Sequence, residues 1–578
     1  MMDNCPPGIS YLINRAPSLL LPGVLTYAAA QYLGASTWLP LWVILVAVLL
    51  AKPLEFVVST RLRRFQNARA ADRLGAQVVP HVFESPSTIV DGLVEMFELG
   101  YPADLTTHWA SKYGDIYETR LSTDSFIWTT EPEHVKVIMA TEFENWPKEP
   151  LFLEQAASLL GDGIFNVNDE QWKFHRSITR PFFTRDRISD FEIFEEHTGK
   201  ALSIAKSRLA EGYPIDVQDL IARFTLDSAA LFLFAERLDS LSAGLAYPHT
   251  AVEENAGNRI YWDHPSNKFS DAFLAAITKG TRRTLLGSEW PLFEFWADAV
   301  KPHRQVIDRF SERVISKNLN TMATGSEDQG EADTLLEHLL HQTTDSKLIK
   351  DELFNMLLAG RDTTACTLSF GIYMLTQHPE VVQRLKEEVQ DRVGASRGPG
   401  YDDIKDMRYL RAFLNEVMRL YPAVPFNWRH SKQSTVFSSK DKSKRYYIPA
   451  QTTVRYSVFM MHRRKDLWGP DADEFDPERF LDGRNRKYLL SNPYIFMPFN
   501  AGPRICLGQQ FAYNEMSFFM IRLLQDFSEF TFAREAQEPQ FVPPASWSLC
   551  EGTKSTEKVM PGANLTMYIK GGLWVRMK

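Results

Sequence analysis

One cysteine set between two glycines, with an apolar helical run directly after it, constrains this chain more than any other stretch. Residues 499–508 read FNAGPRICLG and lead into QQFAYNEMSFFMIRLLQDF. Gly502 can take a positive φ and turn the backbone sharply, and Gly508 lets the next helix approach a flat cofactor with no Cβ in the way. Cys506 lies just ahead of a helix start, where unpaired N–H groups and the positive end of the helix dipole favour thiolate over thiol. A thiolate there can ligate iron. Arg504, two residues earlier, is placed for charge-assisted hydrogen bonds to an anionic group on the same cofactor. The competing reading is a buried, inert cysteine in a Gly/Pro loop, as most free cysteines are.

The other cysteines, Cys5, Cys366 and Cys550, form no C-x-x-C pair with each other or with Cys506, so neither a disulfide scaffold nor a zinc site is expected and a reducing location fits. A formal charge of −8 with no basic stripe argues against a nucleic-acid partner. Hydrophobic residues make up 44% of the 578 positions and no Pro/Gly/Ser linker divides the chain after about residue 80, so one large domain is expected there.

Further motifs follow in order. Residues 117–140, YETRL then SFIWTTEPEHVKVIMA, read as strand, turn, strand and helix. Trp172 and Arg176 share a helix face at i and i+4, an indole N–H beside a guanidinium that together can clamp an anion. Such a pair is also an ordinary surface stack. From residue 191 to about 341 helical periodicity dominates, interrupted at 243–270, and 321–333 read as a polar loop. Residues 348–375 are apolar nearly all round and should cross the core. Inside them Asp362 is a buried acid, costly unless paired or used. Thr363 beside it can bond back to the carbonyl four residues earlier, opening the helix at Gly360 and leaving a polar notch for water or dioxygen. A threonine kinking a core helix next to a salt-bridged aspartate is the plainer alternative. Glu416 and Arg419 sit at i and i+3 on one helix, and EFDPERF supplies Arg479. Residues 565–577 read as a hairpin turning at Gly571–Gly572.

The spacing F-x-x-G-x-R-x-C-x-G is filled at Phe499, Gly502, Arg504, Cys506 and Gly508, and it resembles the haem-binding loop of the cytochrome P450 monooxygenases. Trp172/Arg176, AGRDTT at 359–364, Glu416/Arg419 and the PERF containing Arg479 resemble four more motifs of that family, in family order. The resemblance runs from about residue 80 to the end. It implies a mainly α fold with a small β region, and haem b as cofactor. It further implies Cys506 as the iron's thiolate ligand, with Trp172, Arg176, Arg504 and, after Pro425, Arg429 as propionate contacts. By the same resemblance Asp362 and Thr363 are the acid and alcohol that deliver protons at the haem, and Glu416, Arg419 and Arg479 lock the haem-side core. Thiolate ligation favours O–O cleavage, so the implied reaction is monooxygenation: one oxygen atom into a C–H bond, the other into water. Electrons are expected from NADPH through a separate flavoprotein, the NADPH–cytochrome P450 reductase, because no second domain is long enough to hold flavins. The basic clusters at 462–465 and 484–487, with Lys173, are either a solvated face or a docking patch for that partner. The motifs look most like fungal alkane and fatty-acid hydroxylases and plant fatty-acid ω-hydroxylases, which implies a long-chain hydrophobic substrate. Oxidation of aromatic xenobiotics is the alternative, and an electron-independent haem-thiolate isomerase or dehydratase is disfavoured because those tend to lose the acid–alcohol pair.

From Ala16 to Ala51 no residue is charged. Two hydrophobic segments are expected there, Ser18 to Leu33 broken at Pro22–Gly23, and Leu39 onward to about Val58. Arg61, Arg63, Arg64, Arg69 and Arg73 follow, and the positive-inside rule puts that side in the cytosol. The expected division is therefore a membrane anchor at 1–60, a basic linker at 61–79 and a haem-thiolate catalytic domain at 80–578, held on the endoplasmic reticulum membrane and facing the cytosol. A cleaved signal peptide competes, but the hydrophobic region is too long and no small-x-small site follows it.

Overall fold

The computed structural model describes residues 5–98, 100–121, 124–183, 191–251, 255–323 and 334–578. The helix Ser346–Leu375 is its axis. Asp345 starts it by accepting the backbone N–H groups of Lys347 and Leu348, two of the donors that a helix start leaves open. Residues 353–358 and 364–375 are all buried, as the all-round apolar pattern requires. The helices Val217–Phe234, Arg408–Leu420 and Gln509–Asp526 pack around it. Among the described residues helix dominates, and the strands are short and fall into four small sheets.

The strand–turn–strand–helix expected at 117–140 is present as Ile116–Leu121, Asp124–Thr129 and the short helix Pro132–Lys136, with 122–123 outside the described residues. Asp124–Thr129 pairs in parallel with Thr453–Ser457, which pairs antiparallel with Phe426–His430 to complete a four-stranded sheet. The register places Trp128, Arg455 and Trp428 side by side in one cross-strand row. Because side chains alternate along a strand, Arg429 and Tyr456 project from the opposite face.

Glu416, Arg419 and Arg479 meet in the interior. Arg419 is bonded to Glu416 at 2.7 Å with both side chains fully buried, and Arg479 Nε lies 3.4 Å from the same carboxylate. The remaining donors of Arg419 reach the carbonyls of His462, Ala472 and Glu474, so a single guanidinium ties one helix to three points of a distant loop.

Several expectations need correction. The first hydrophobic segment does not break at Pro22–Gly23: Pro7–Tyr32 is one helix containing both Pro17 and Pro22. Gly23 instead marks a close approach, since a Cβ there would lie 3.1 Å from Val48 of the second helix, Leu41–Arg73. That second helix is the one among the described residues long and apolar enough to cross a membrane. The stretch expected as a basic linker at 61–79 consists of the end of this helix and the strand Gln77–Val78, which pairs with Tyr446–Tyr447. Gly571 and Gly572 do take positive φ of 76° and 80°, but the turn is not a hairpin. Met567–Ile569 pairs with Pro561–Ala563, while Trp574–Met577 pairs with two other strands, so the glycines pass the chain from one sheet to another. The interruption at 243–270 contains the helix Asn255–Trp262, and most of the loop read at 321–333 lies outside the described residues.

Glu515, on the helix after the cysteine loop, is a buried acid facing Thr364 of the core helix, and burial pushes its carboxyl up to about 8. Neither carboxyl oxygen has a well-formed hydrogen bond among the described residues.

Two outcomes follow from this core. Glu416→Ala leaves two buried guanidinium groups without their carboxylate and should cost about 3–5 kcal/mol, read as a lower urea-unfolding midpoint. Glu515 holds a proton in the folded chain that the unfolded chain releases above its ordinary value near 4.5, so it lowers stability progressively as pH rises from there to about 8. Glu515→Gln should remove that decline. Its stability advantage over the parent should therefore grow between pH 5 and pH 8.5 by on the order of a few kcal/mol, and an advantage independent of pH would refute the assignment.

Candidate functional site

The cysteine loop is built around a collision that only glycine avoids. Gly502 has φ +64°, and a Cβ there would sit 1.8 Å from the Met139 carbonyl oxygen. The turn Gly502–Arg504 reverses the chain, and Cys506 N–H donates to the Phe499 carbonyl at 3.0 Å, closing the loop. Phe499 packs on Tyr513 of the following helix with ring centroids 5.1 Å apart. Gly508 needs no unusual backbone angle, and a Cβ there would meet only Phe183 Cε1 at 3.6 Å. Protein contacts alone therefore do not demand glycine at 508.

Cys506 opens onto a cavity of about 730 Å³ whose lining includes Trp172, Arg176, Phe183, Gly502 and Leu507. Burial pushes its thiol up, while the Gly508 N–H and the Arg176 charge act in the opposite sense. Cys506 is exposed to the cavity, so the helix start, the Gly508 N–H and Arg176 act on a thiol that a bound metal cation would also deprotonate.

Positive charge gathers around Trp172. Arg504 lies over the indole at 4.5 Å and Arg176 at 5.7 Å. Arg176 Nη1 donates to the Ile505 carbonyl at 3.0 Å, which fastens the helix Asp169–Thr179 to the cysteine loop. Arg504 Nη2 donates to the Val167 carbonyl and to Asn168 Oδ1, and Arg429 Nη1 donates to Asn427 Oδ1 and to the Trp428 carbonyl. The Nε atoms of both arginines are buried with no partner. Lys148, which no sequence motif flags, is enclosed beside them with its ammonium on the Phe165 carbonyl. Burial, then Arg504 and Arg429, hold Lys148 well below its ordinary value, and burial with Arg429 brings Arg504 down to about 9. Among the described residues no carboxylate forms an ion pair with Arg176, Arg429, Arg504 or Lys148. Such a cluster is unfavourable unless an anion neutralises it. Two orphaned guanidinium Nε atoms, a cavity at a single cysteine and a glycine that the protein itself does not require fit a flat metallated group with acidic side chains, that is, haem.

On the core helix Thr363 Oγ1 donates to the Ala359 carbonyl at 2.7 Å, the back-bond expected from sequence. The helix is not broken at Gly360. The notch is instead a window of exposure: residues 359–363 are half-buried between two fully buried stretches. Asp362 is bonded to Arg361 at 2.8 Å, and burial, opposed by Arg361, raises its carboxyl. Asp362 and Thr363 do not line the cavity at Cys506. Cys366 is buried farther along the same helix, where desolvation keeps its thiol protonated.

The two basic clusters are not free patches. His462 is fully buried, Arg464 pairs with Asp115, Glu131 and Asp466, and Lys465 with Asp473. Arg484 is neutralised by Asp471, Asp476 and Asp482. Lys173 pairs with Glu170 at 2.8 Å. Of the second cluster, Arg486 and Lys487 remain exposed.

Comparison with known proteins gives the family. The family described as Cytochrome P450 matches residues 92–551. Cytochrome P450 52A5 of Candida maltosa is 32% identical over 562 residues, covering 91% of this chain and 97% of that protein. Cytochrome P450 52A13 of Debaryomyces hansenii is 36% identical, covering 72% and 78%, and the cytochrome P450 monooxygenase pvhE of Talaromyces variabilis is 34% identical, covering 71% and 75%. A family match over most of the chain and relatives covered along most of their length show that the chain belongs to the cytochrome P450 family.

Proposed function

We propose that this monooxygenase hydroxylates long-chain aliphatic substrates, with Cys506 as the residue that would ligate the iron of haem b and Trp172, Arg176, Arg504, Arg429 and Lys148 as those that would bind its propionates. The observation that carries the site is the set of unneutralised cations beside the Cys506 cavity. When bound, thiolate-ligated haem supplies activation of dioxygen with electrons from NADPH delivered through the external reductase. The chain's own residues bind, shield and protonate. Arg504 and Arg429 each keep an Nε donor for a carboxylate. Gly508 keeps the helix start clear of a flat ring. Thr363, its own hydrogen committed to Ala359, has lone pairs left to accept from a water in the half-buried window. Asp362, paired with Arg361, is placed to relay a proton by turning from that guanidinium toward the window, where burial without the positive charge raises its carboxyl and lets it take a proton up.

The aliphatic preference rests on the motif resemblance at AGRDTT and the cysteine loop. The anchor at 1–60 and the catalytic domain at 80–578 are read as held on the endoplasmic reticulum membrane and facing the cytosol, supported by the apolar helix Leu41–Arg73 and its arginine-rich end. Reconstitution with reductase and NADPH on hexadecanoic acid, hexadecane and a polycyclic aromatic tests the substrate, and turnover of the aromatic alone would overturn it.

Cys506→Ala should abolish the strongly red-shifted carbonyl Soret band of thiolate ligation, and retention of that band would transfer the ligand role elsewhere. Thr363→Ala should keep haem and substrate binding while NADPH oxidation runs largely into peroxide. Unchanged coupling of NADPH to product in that variant would count against the proton role.

A further inference from the structure

Arg455 is a second cation with no ion-paired carboxylate among the described residues, on the strand face opposite Tyr456. It lies on the strand Thr453–Ser457, where residues 453, 454, 456 and 457 are all buried while Arg455 is only half-buried. Its guanidinium stacks at 3.7 Å on Phe126 and lies 5.4 Å from Trp128 and 5.8 Å from Trp428, which flank it in the cross-strand row. Nε is buried with no partner, and among the described residues the side chain makes neither a hydrogen bond nor an ion pair. Two carboxylates help to stabilise its charge from farther off, Glu149 and Asp124, but each is engaged elsewhere: Glu149 accepts from Thr453 Oγ1 at 2.6 Å and Asp124 from Ser288 N–H at 3.0 Å.

Strand alternation fixes which side this cation serves. Tyr456, the next residue, reaches Asn500 of the cysteine loop at 3.1 Å, so Arg455 points to the other face. On that face Trp428 meets Phe152 of the helix Pro150–Leu160 edge-on at 5.4 Å, and Phe152 lies under Lys148 of the Trp172 cluster at 5.7 Å. An aromatic wall therefore runs from Arg455 toward the cofactor site. A guanidinium enclosed by aromatic rings, with no ion-paired carboxylate among the described residues, is the arrangement that takes a carboxylate in a forked pair of hydrogen bonds, while the aromatic wall buries a hydrocarbon tail.

We infer that Arg455 binds the carboxylate of a long-chain fatty acid, so that the acid rather than the alkane is the preferred substrate and the chain's far end is presented to the haem. This deepens the aliphatic reading above and rests on it.

The test uses the haem-loaded, full-length protein and three probes: hexadecanoic acid, its methyl ester and hexadecane, each followed by substrate-induced Soret shift and by product analysis. In the parent the acid should bind about 10- to 100-fold more tightly than the ester, the discrimination a charge-assisted pair provides. Arg455→Met keeps the bulk against the aromatic rings and should bring the acid down to the ester's affinity, leave ester and alkane within about 3-fold of the parent, and scatter the position of hydroxylation on the acid; Arg455→Lys should retain part of the preference. If the parent shows no preference for acid over ester, or if Arg455→Met weakens acid, ester and alkane alike, Arg455 is a structural stack and the inference fails. The comparison of acid with ester in the parent needs no variant, so a poorly folding substitution does not rescue the idea. If none of the three probes binds or is turned over by the parent, the aliphatic reading itself falls, an outcome distinct from loss of the Arg455 effect alone.

Discussion

The buried contact between Glu416 and Arg419 reaches, through two further bonds, the loop that holds the cysteine. Arg419 donates to the His462 carbonyl, His462 Nδ1–H donates back to the Arg419 carbonyl at 3.1 Å, and His462 Nε2 accepts from Met497 N–H at 3.0 Å. Only a neutral imidazole with its proton on Nδ1 can do both, and burial holds this histidine down near 3. Met497 stands two residues before Phe499, whose carbonyl receives Cys506 N–H. A charge pair on one helix therefore positions the metal-ligand candidate through directional bonds joined by two residues of backbone, each bond costly to leave unmade.

What the sequence displayed best was whatever depends on neighbours a few residues apart. The Gly502 turn, the i,i+4 face of Trp172 and Arg176, the back-bond of Thr363 and the pairing of Glu416 with Arg419 are all local geometry, and all are present. Lys148, Arg455 and Glu515 were not legible, because each is defined by what surrounds it from distant parts of the chain, and a lone lysine or arginine in sequence reads as surface. In the basic cluster at 484–487 the pairing of Arg484 was hidden for a different reason. The aspartates that neutralise Arg484 stand within thirteen residues of it, but only folding turns them inward to the same guanidinium. At Gly571–Gly572 the turn signal was sound and the partner strand was not, since nothing local says which sheet edge the next strand will join.

The amino-terminal helices show how an apolar segment is fastened to the rest of the chain. Gly8 N–H donates to the Phe295 carbonyl at 3.1 Å, and a Cβ at Gly8 would lie 2.2 Å from the Phe295 ring. The first helix thus rests on the segment around Trp290–Phe293, where Phe293 and Trp296 expose large apolar surface. Glycine at position 8 and at position 23 gives backbone-to-side-chain approach at two of its contacts, one with Phe295 and one with the second helix.

The strand Thr453–Ser457 separates two groups of positive charge by nothing more than the parity of its residues. Its parallel pairing on one side and antiparallel pairing on the other pin the register from both edges. A length change is therefore a different kind of damage from a substitution. Deleting or inserting one residue here would exchange the two faces wholesale, sending the Arg455 guanidinium in among Arg429, Arg504 and Lys148 and turning the hydroxyl of Tyr456 into the aromatic wall. Natural variation in this strand should accordingly be found in side chains and not in spacing.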